Sequence, residues 1–210
     1  MQNDSRMKDW GNVTGVILAG GRSSRMGRDK ATLDVAGMPL FERVLAVLHE
    51  FFSAVLIAGD RPDLARPLVP YHPDIYPGSA LGGLYTGLLM ARTEWIFVAP
   101  CDMPHPDPEL IRVLLDRRQG RQVVVPRTGA GLEPLFALYH KDCLEPMRAM
   151  LEEGHYRIYD FYDQMSVCYV NEDELPPGWE QSLINVNTPE EYSKIRKKSI
   201  EQAGRSEPKG

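Results

Sequence analysis

Residues 13–30 read VTGVILAGGRSSRMGRDK, and this stretch decides the fold. Val13–Leu18 is a short apolar run that stops at Gly20 and Gly21. Such a run, bounded by turn residues, predicts a strand buried on both faces of a parallel sheet. Gly20, Gly21 and Gly27 let the backbone turn tightly and approach a ligand. Four cations follow the strand: Arg22, Arg25, Arg28 and Lys30. Free backbone N–H groups and concentrated positive charge at one strand end suit an anion with many acceptor oxygens. The loop matches neither G-x-x-x-x-G-K-[ST] nor G-x-G-x-x-G, so its spacing alone supports an anion-binding loop. The competing reading is a surface loop with solvated charges. Its place directly after an apolar strand counts against that.

Working outward, strands alternate with helices. Leu40, Val44, Val47, Leu48 and Phe51 fall at helical spacing and predict an amphipathic helix over 39–52, with proline in its first turn. AVLIA (54–58) reads as a second buried strand, 81–91 as a helix entered from a glycine-rich loop, and WIFVA (95–99) as a third strand. Asp107-Pro108 is an N-cap and first helical position. Strands are expected at 122–125, 135–139, 167–170 and 183–186. Asp142 with Glu145 three residues on predicts a capped helix start, and Thr188 with Glu191 a second one. The fold class expected is α/β: a Rossmann-like three-layer α/β/α sandwich, its sheet mostly parallel with a smaller antiparallel portion in the second half.

Hydrophobic residues make up 43% of the 210 and charged residues 25%, which is ordinary globular usage. The net charge of −5 argues against a general nucleic-acid binder. Cys101, Cys143 and Cys168 are odd in number and widely spaced, so neither a disulfide framework nor a zinc motif is expected. No run is apolar enough for a signal peptide or a membrane span. A reducing, cytoplasmic location is the expectation.

Strand 95–99 leads into Pro100-Cys101-Asp102-Met103-Pro104. A carboxylate between two prolines at a strand's carboxyl end is a rigid mount for Mg²⁺, which takes one or two carboxylates plus phosphate oxygens and water. Taken alone, Asp102 reads more readily as a turn or helix cap. Sharing an edge with the glycine loop favours the metal. Cys101 is assigned to packing rather than to nucleophilic chemistry.

The run L-A-G-G-x-S-x-R-M-G-x-x-K, from Leu18 to Lys30, closely resembles the signature of the molybdenum cofactor guanylyltransferases (the MobA family) among the Rossmann-like nucleotidyltransferases. The resemblance extends over most of the chain, from Val13 to Lys198. Sugar-nucleotide relatives often carry Leu-Ala-Ala-Gly at its start, and the Gly20-Gly21 pair points to the cofactor branch. It implies transfer of GMP from GTP to the terminal phosphate of molybdenum-molybdopterin cofactor, with release of pyrophosphate and Mg²⁺ as cofactor. It implies that Leu18, Ala19 and Gly20 line the guanine and ribose side, that Gly21 is also nucleotide-binding, and that Arg25 and Lys30 face the phosphates. Asp102 is the implied Mg²⁺ ligand and, with Arg25 and Lys30, forms the implied catalytic set.

Pro73-Asp74-Ile75-Tyr76-Pro77-Gly78 and Leu81-Gly82-Gly83-Leu84 resemble the family's D-x-x-x-G and G-P-L-G-G-L segments, which makes Asp74 and Gly82 nucleotide-binding. Ser79-Ala80-Leu81 departs from them, since many relatives have a proline before the leucine. Ala58 departs too, standing where some relatives carry asparagine. Asn185-Val186-Asn187-Thr188-Pro189 resembles N-x-N-T-P. With 131–135 and 157–161 it is expected near the acceptor, through Asn185, Asn187 and Arg157, and Asn185 equally suits completing the metal or phosphate site. Asn187 also suits a local turn. Arg157 serves equally as a phosphate grip or as an ion pair with Asp160.

The implied organisation is a flexible N-terminus (1–12), one domain (13–199) with a nucleotide-binding half (13–125) and an acceptor-binding half (126–199), and a flexible tail (200–210). Implied partners are GTP, molybdopterin cofactor, and molybdenum-insertion proteins or apo-molybdoenzyme chaperones. Alternatives are a cytidylyl- or other nucleotidyltransferase with a different phosphorylated acceptor, and a non-catalytic carrier of GTP or cofactor.

Overall fold

The computed structural model describes residues 10–20, 29–184, 186, 188 and 191–195. Expectations placed on Gly21, Arg25, Asn185 and Asn187, and on most of both termini, lie outside these residues. Ten strands are described: β1 (Val13–Leu18), β2 (Asp34–Val35), β3 (Met38–Pro39), β4 (Val55–Ala58), β5 (Tyr71–His72), β6 (Trp95–Pro100), β7 (Val123–Thr128), β8 (Gly131–Leu132), β9 (Ala137–His140) and β10 (Val167–Asn171). The helices are α1 (Leu40–Phe51), α2 (Ala80–Met90), α3 (Pro108–Leu115), α4 (Leu144–Glu152) and α5 (Trp179–Ser182).

The main sheet runs β10-β7-β9-β6-β1-β4-β5, with β8 on β7. β1 lies parallel between β4 and β6, β4 pairs parallel with β5, and β7 with β10. Only β9 and β8 run antiparallel within it. This is the expected mostly parallel α/β sandwich with an antiparallel portion in its second half.

The pleat sends alternate residues to opposite faces, and each face has its own core. Val13, Ile17, Ile57, Phe97 and Val124 pack with Phe41, Val44 and Leu48 of α1 and with Leu110, Ile111 and Leu114 of α3. Val16, Leu18, Leu56, Val98 and Tyr139 face the other way, onto Leu81, Leu84 and Leu88 of α2 and Met147 and Leu151 of α4. The close approach of α2 depends on Gly87, where a Cβ would stand 2.6 Å from a Val16 methyl.

Several expectations need correction. The helix predicted from Asp142 begins later, at Leu144, after a 3₁₀ turn over Lys141–Cys143. Asp142 does not cap it. Its carboxylate accepts from the Gln122 side-chain amide at 2.9 Å and lies 3.0 Å from His140 Nδ1. The strand predicted at 183–186 is not formed at Leu183, which instead follows the short helix α5. Val186 is apolar for another reason: it packs with Leu33, Val35 and Leu40. Pro39 is the residue before α1 and belongs to the two-stranded ribbon β2–β3. That ribbon went unpredicted. Its turn puts Ala36 (φ 52°) and Gly37 (φ 84°) in the left-handed region, as a two-residue type I′ hairpin requires.

The Thr188 capping box is present: Glu191 N–H donates to Thr188 Oγ1 at 3.1 Å, and Thr188 N–H to Glu191 Oε2 at 3.0 Å. Among the described residues no helix is long and apolar enough to cross a membrane.

Candidate active site

The site is built around the carboxyl end of β1, the central strand of its parallel run. Leu18 C=O accepts from Cys101 N–H at 3.1 Å, and Ala19 N–H donates to Ala58 O at 2.8 Å. The chains leaving β6 and β4 are thereby held against the start of the glycine-rich loop. Gly59 tightens this further. At φ 135° it occupies a conformation that L side chains rarely adopt, and a Cβ there would lie 2.8 Å from both Ala19 C and Gly20 N. Gly59 was not singled out from sequence, although a Gly-Asp pair directly after an apolar strand was a usable signal.

Lys30 and Asp102 meet. The Lys30 ammonium donates to Asp102 Oδ2 at 3.3 Å, with the two side chains 19% and 16% exposed. Burial pushes the Asp102 carboxyl above its ordinary value, and Lys30 opposes that rise. A carboxylate this enclosed seeks positive charge, and one lysine has not cancelled the penalty. The backbone adds a tie, because Asp102 C=O accepts from Val186 N–H at 3.2 Å. That contact brings the carboxyl-terminal segment to the same strand end. Asn185 and Asn187 flank Val186 in sequence and fall outside the described residues.

Asp74 occupies the other side of the β1 exit. A Cβ on Gly20 would lie 2.9 Å from its Oδ2, and one on Gly83 would lie 3.5 Å from its Oδ1. Gly20 thus makes room for the carboxylate, whereas a methyl at Gly83 would meet it only in ordinary contact. Asp74 Oδ1 is buried without a hydrogen-bond partner. Burial, with a smaller contribution from Asp60, raises its carboxyl above the usual range. A buried acceptor without a donor costs about 1–3 kcal/mol, so the position is costly unless a ligand supplies the donor.

The first turn of α2 frames this crevice. Ser79 Oγ accepts from Gly82 N–H at 3.1 Å as the helix N-cap. The departure at Ser79-Ala80 therefore retains an ordered helix start. Gly82 admits no side chain, since a Cβ would fall 1.8 Å from Tyr76 O.

Lys30 opens a 3₁₀ turn, Lys30–Thr32, whose N-cap is Asp29: Ala31 N–H donates to Asp29 Oδ1 at 3.1 Å. Arg61 grips the same carboxylate, Nη1 to Oδ1 at 3.1 Å and Nη2 to Oδ2 at 2.5 Å. Neither Asp29 nor Arg61 stands out in the sequence, where the cations of the loop carry the stronger local signal. Their partnership spans 32 residues and leaves no local pattern.

Other expected residues are placed differently. Arg157 is exposed. Its guanidinium lies 4.0 Å from Asp160 and stacks over Tyr159 at 5.6 Å, between α4 and the 3₁₀ segment Ile158–Gln164. Glu133, in the 131–135 segment, is half-buried, and burial raises its carboxyl. Burial pushes the Cys101 thiol up to about 12, with Asp102 adding to the rise, which suits packing and not nucleophilic attack.

Among the described residues no group of three or more His, Cys, Asp or Glu is placed to hold a metal. Asp102 alone still fits a Mg²⁺ site of the shared kind. Lys30 engages its Oδ2, and a hard cation that keeps waters and takes substrate phosphates needs only one or two protein carboxylates.

Ligands of open α/β sheets bind where loops leave the carboxyl ends of the strands, and this sheet gathers its enclosed charge there. The class so defined is that of the Rossmann-like nucleotide-handling domains. The family model for the MobA-like NTP transferase domain matches residues 15–167, and the chain belongs to that family. A protein of Pelotomaculum thermopropionicum named probable molybdenum cofactor guanylyltransferase is 40% identical over 88% of this chain and 92% of its own length. The molybdenum cofactor guanylyltransferase of Vibrio atlanticus is 33% identical over 86% of this chain and 93% of its own. The crystal structure of molybdopterin-guanine dinucleotide biosynthesis protein A from Archaeoglobus fulgidus superposes with a TM-score of 0.77. At 21% identity, covering 90% of this chain and 99% of that one, it supports the fold.

Proposed function

We propose that this protein transfers GMP from GTP to the terminal phosphate of molybdopterin cofactor. One observation carries the reading: an enclosed lysine–aspartate pair, a glycine turn and a carboxylate with one buried, unsatisfied oxygen gather at the end of β1. Relatives named as guanylyltransferases, aligned over nearly their whole length, support the choice of nucleotide and acceptor.

In the reaction an oxygen of the acceptor phosphate forms a bond to the α-phosphorus of GTP. The bond from that phosphorus to the β-phosphate bridging oxygen breaks, and its electron pair leaves with pyrophosphate. Such transfers ask a protein chiefly for alignment and charge neutralisation. Lys30 supplies a cation that shifts from Asp102 toward the phosphates, with Arg25 assigned the same task. Asp74 offers its free oxygen to a donor on the guanine or ribose, and Leu18, Ala19 and Gly20 lie against the nucleoside. Asp102 would hold Mg²⁺, which when bound screens the phosphate charge that builds as pyrophosphate departs. The acceptor phosphate is ionised at neutral pH, so no histidine is needed as a base. Arg157 and the Asn185–Asn187 segment are assigned to the acceptor side, and the setting is a reducing cytoplasm. The product passes on to molybdenum-insertion proteins or apo-enzyme chaperones.

The test is pyrophosphate release with molybdopterin as acceptor and GTP, CTP, ATP or UTP as donor. Release with GTP well above the others is expected. Preference for CTP would reassign the nucleotide, and GTP binding without release would make the protein a carrier.

A further inference from the structure

The turn that carries the lysine of the proposed site is anchored by a guanidinium in the loop that follows β4. We propose that Arg61 is a positioning residue for nucleotidyl transfer: it clamps Asp29, and through Asp29 it fixes the turn that delivers the Lys30 ammonium to Asp102. This rests on the reading of Lys30 and Asp102 given above.

The contacts form a continuous chain. Arg61 directs Nε and Nη2 to Asp63, at 2.9 and 2.8 Å, and Nη1 and Nη2 to Asp29, at 3.1 and 2.5 Å. Arg61 is 20% exposed, and a planar guanidinium spread across two carboxylates has little freedom. Asp29 in turn caps the turn that begins at Lys30. The same short segment also holds the other end of the glycine-rich loop. Gly59 is pressed against Ala19 and Gly20, and Arg61 N–H donates to Gly59 O at 2.9 Å. Residues 59–61 thus fix both Gly20 and Asp29, the two points between which the loop with Arg22, Arg25 and Arg28 is strung.

The pair also sits close behind the reactive edge. The charges of Asp102, Arg61 and Asp29 all act on the half-buried Cys101 thiol. Asp29 adjoins Lys30 in sequence, and uncompensated it would repel a triphosphate drawn to that lysine. Arg61 therefore has two effects: it sets where Lys30 stands, and it neutralises an anion beside the phosphate site.

A double-mutant cycle on the full-length chain tests this, using Arg61→Ala, Asp29→Asn and the double variant. Asparagine keeps an oxygen for the Ala31 cap while losing the charge that Arg61 grips. GTP affinity is read by calorimetry without acceptor, and kcat and KM by pyrophosphate release. Arg61→Ala is expected to weaken GTP binding about ten-fold, the scale of losing one charge-assisted bidentate contact, and to leave the acceptor KM unchanged. In the Asp29→Asn background the same change should cost less than about two-fold, because coupled residues do not add. Arg61→Lys should recover part of the loss, and it supplies the comparison if the alanine variant does not fold. Additive losses, or unaltered GTP affinity in a folded Arg61→Ala or Arg61→Lys protein, would overturn the proposal. Failure of the wild type to bind GTP would instead overturn the functional reading beneath it.

Discussion

Lys30 and Asp102 are 72 residues apart in sequence and 3.3 Å apart in space, both largely withdrawn from water. On the proposed reading, a bound triphosphate would draw Lys30 to its phosphate oxygens and leave Asp102 to a metal. The two groups would then have different tasks, and substitutions should separate those tasks.

Asp102→Ala should reduce turnover by roughly 10²–10³-fold, since one charge-stabilising group contributes on the order of 3–4 kcal/mol. Lys30→Ala should raise the KM for GTP more than it lowers kcat. Steady-state pyrophosphate release decides both. Near-wild-type turnover in the Asp102 variant would remove that residue from the mechanism.

Chelation should abolish pyrophosphate release, and Mg²⁺ should restore it. Asp102→Asn should need a higher Mg²⁺ concentration for half-maximal rate, because a neutral amide is a weaker ligand for a hard cation. Full activity in excess chelator would exclude a metal from this site.

Asp74→Asn separates stability from binding. Burial raises the Asp74 carboxyl above its ordinary value of 3.8. The folded state therefore holds this proton more tightly than the unfolded chain does. Any stability linked to the proton is fully present below about pH 4 and is lost as pH rises through the folded-state value. At pH 7 the wild type carries the cost of a half-buried carboxylate with one buried, unsatisfied oxygen. The asparagine variant should melt higher there, and its advantage should shrink as pH falls toward 4. Its KM for GTP should rise. An unchanged KM would sever Asp74 from the nucleotide.

Gly82→Ala should destabilise the protein by about 1–3 kcal/mol, the usual penalty for overpacking. The new methyl would meet the Tyr76 carbonyl at 1.8 Å, so the start of α2 or the 74–78 loop has to shift. Urea unfolding measures the loss, and a midpoint equal to wild type would mean the loop yields freely.

Cys101→Ala should keep kcat within about two-fold and resist thiol reagents no differently from wild type at neutral pH. The reason is that a thiol pushed up to about 12 supplies almost no thiolate. A large fall in kcat would return this cysteine to the chemistry.

The division of labour between sequence and fold is visible at particular residues. β1, α1, β4, α2 and β6 were legible because each carries a long apolar pattern at the right period. Asp107 could be read as a cap because its signal lies within two residues, its carboxylate accepting from Glu109 N–H at 2.9 Å. β5 was missed because its two residues hold no period, and Asp142 was misread because Gln122 and His140 compete for its carboxylate. Of the site, Lys30, Asp74 and Asp102 were legible through local motifs and a family resemblance.

By itself, then, the sequence determined what is local: which segments alternate as strand and helix, and which strand end carries glycines and cations. Only the tertiary structure decided what is distant: that Asp102 meets Lys30, that Asp74 lies against Gly20 with one oxygen unsatisfied, and that Arg61 holds Asp29. Backbone propensity and hydrophobic period act over a few residues, whereas a contact between side chains dozens of positions apart exists only once the sheet has brought its strand ends together.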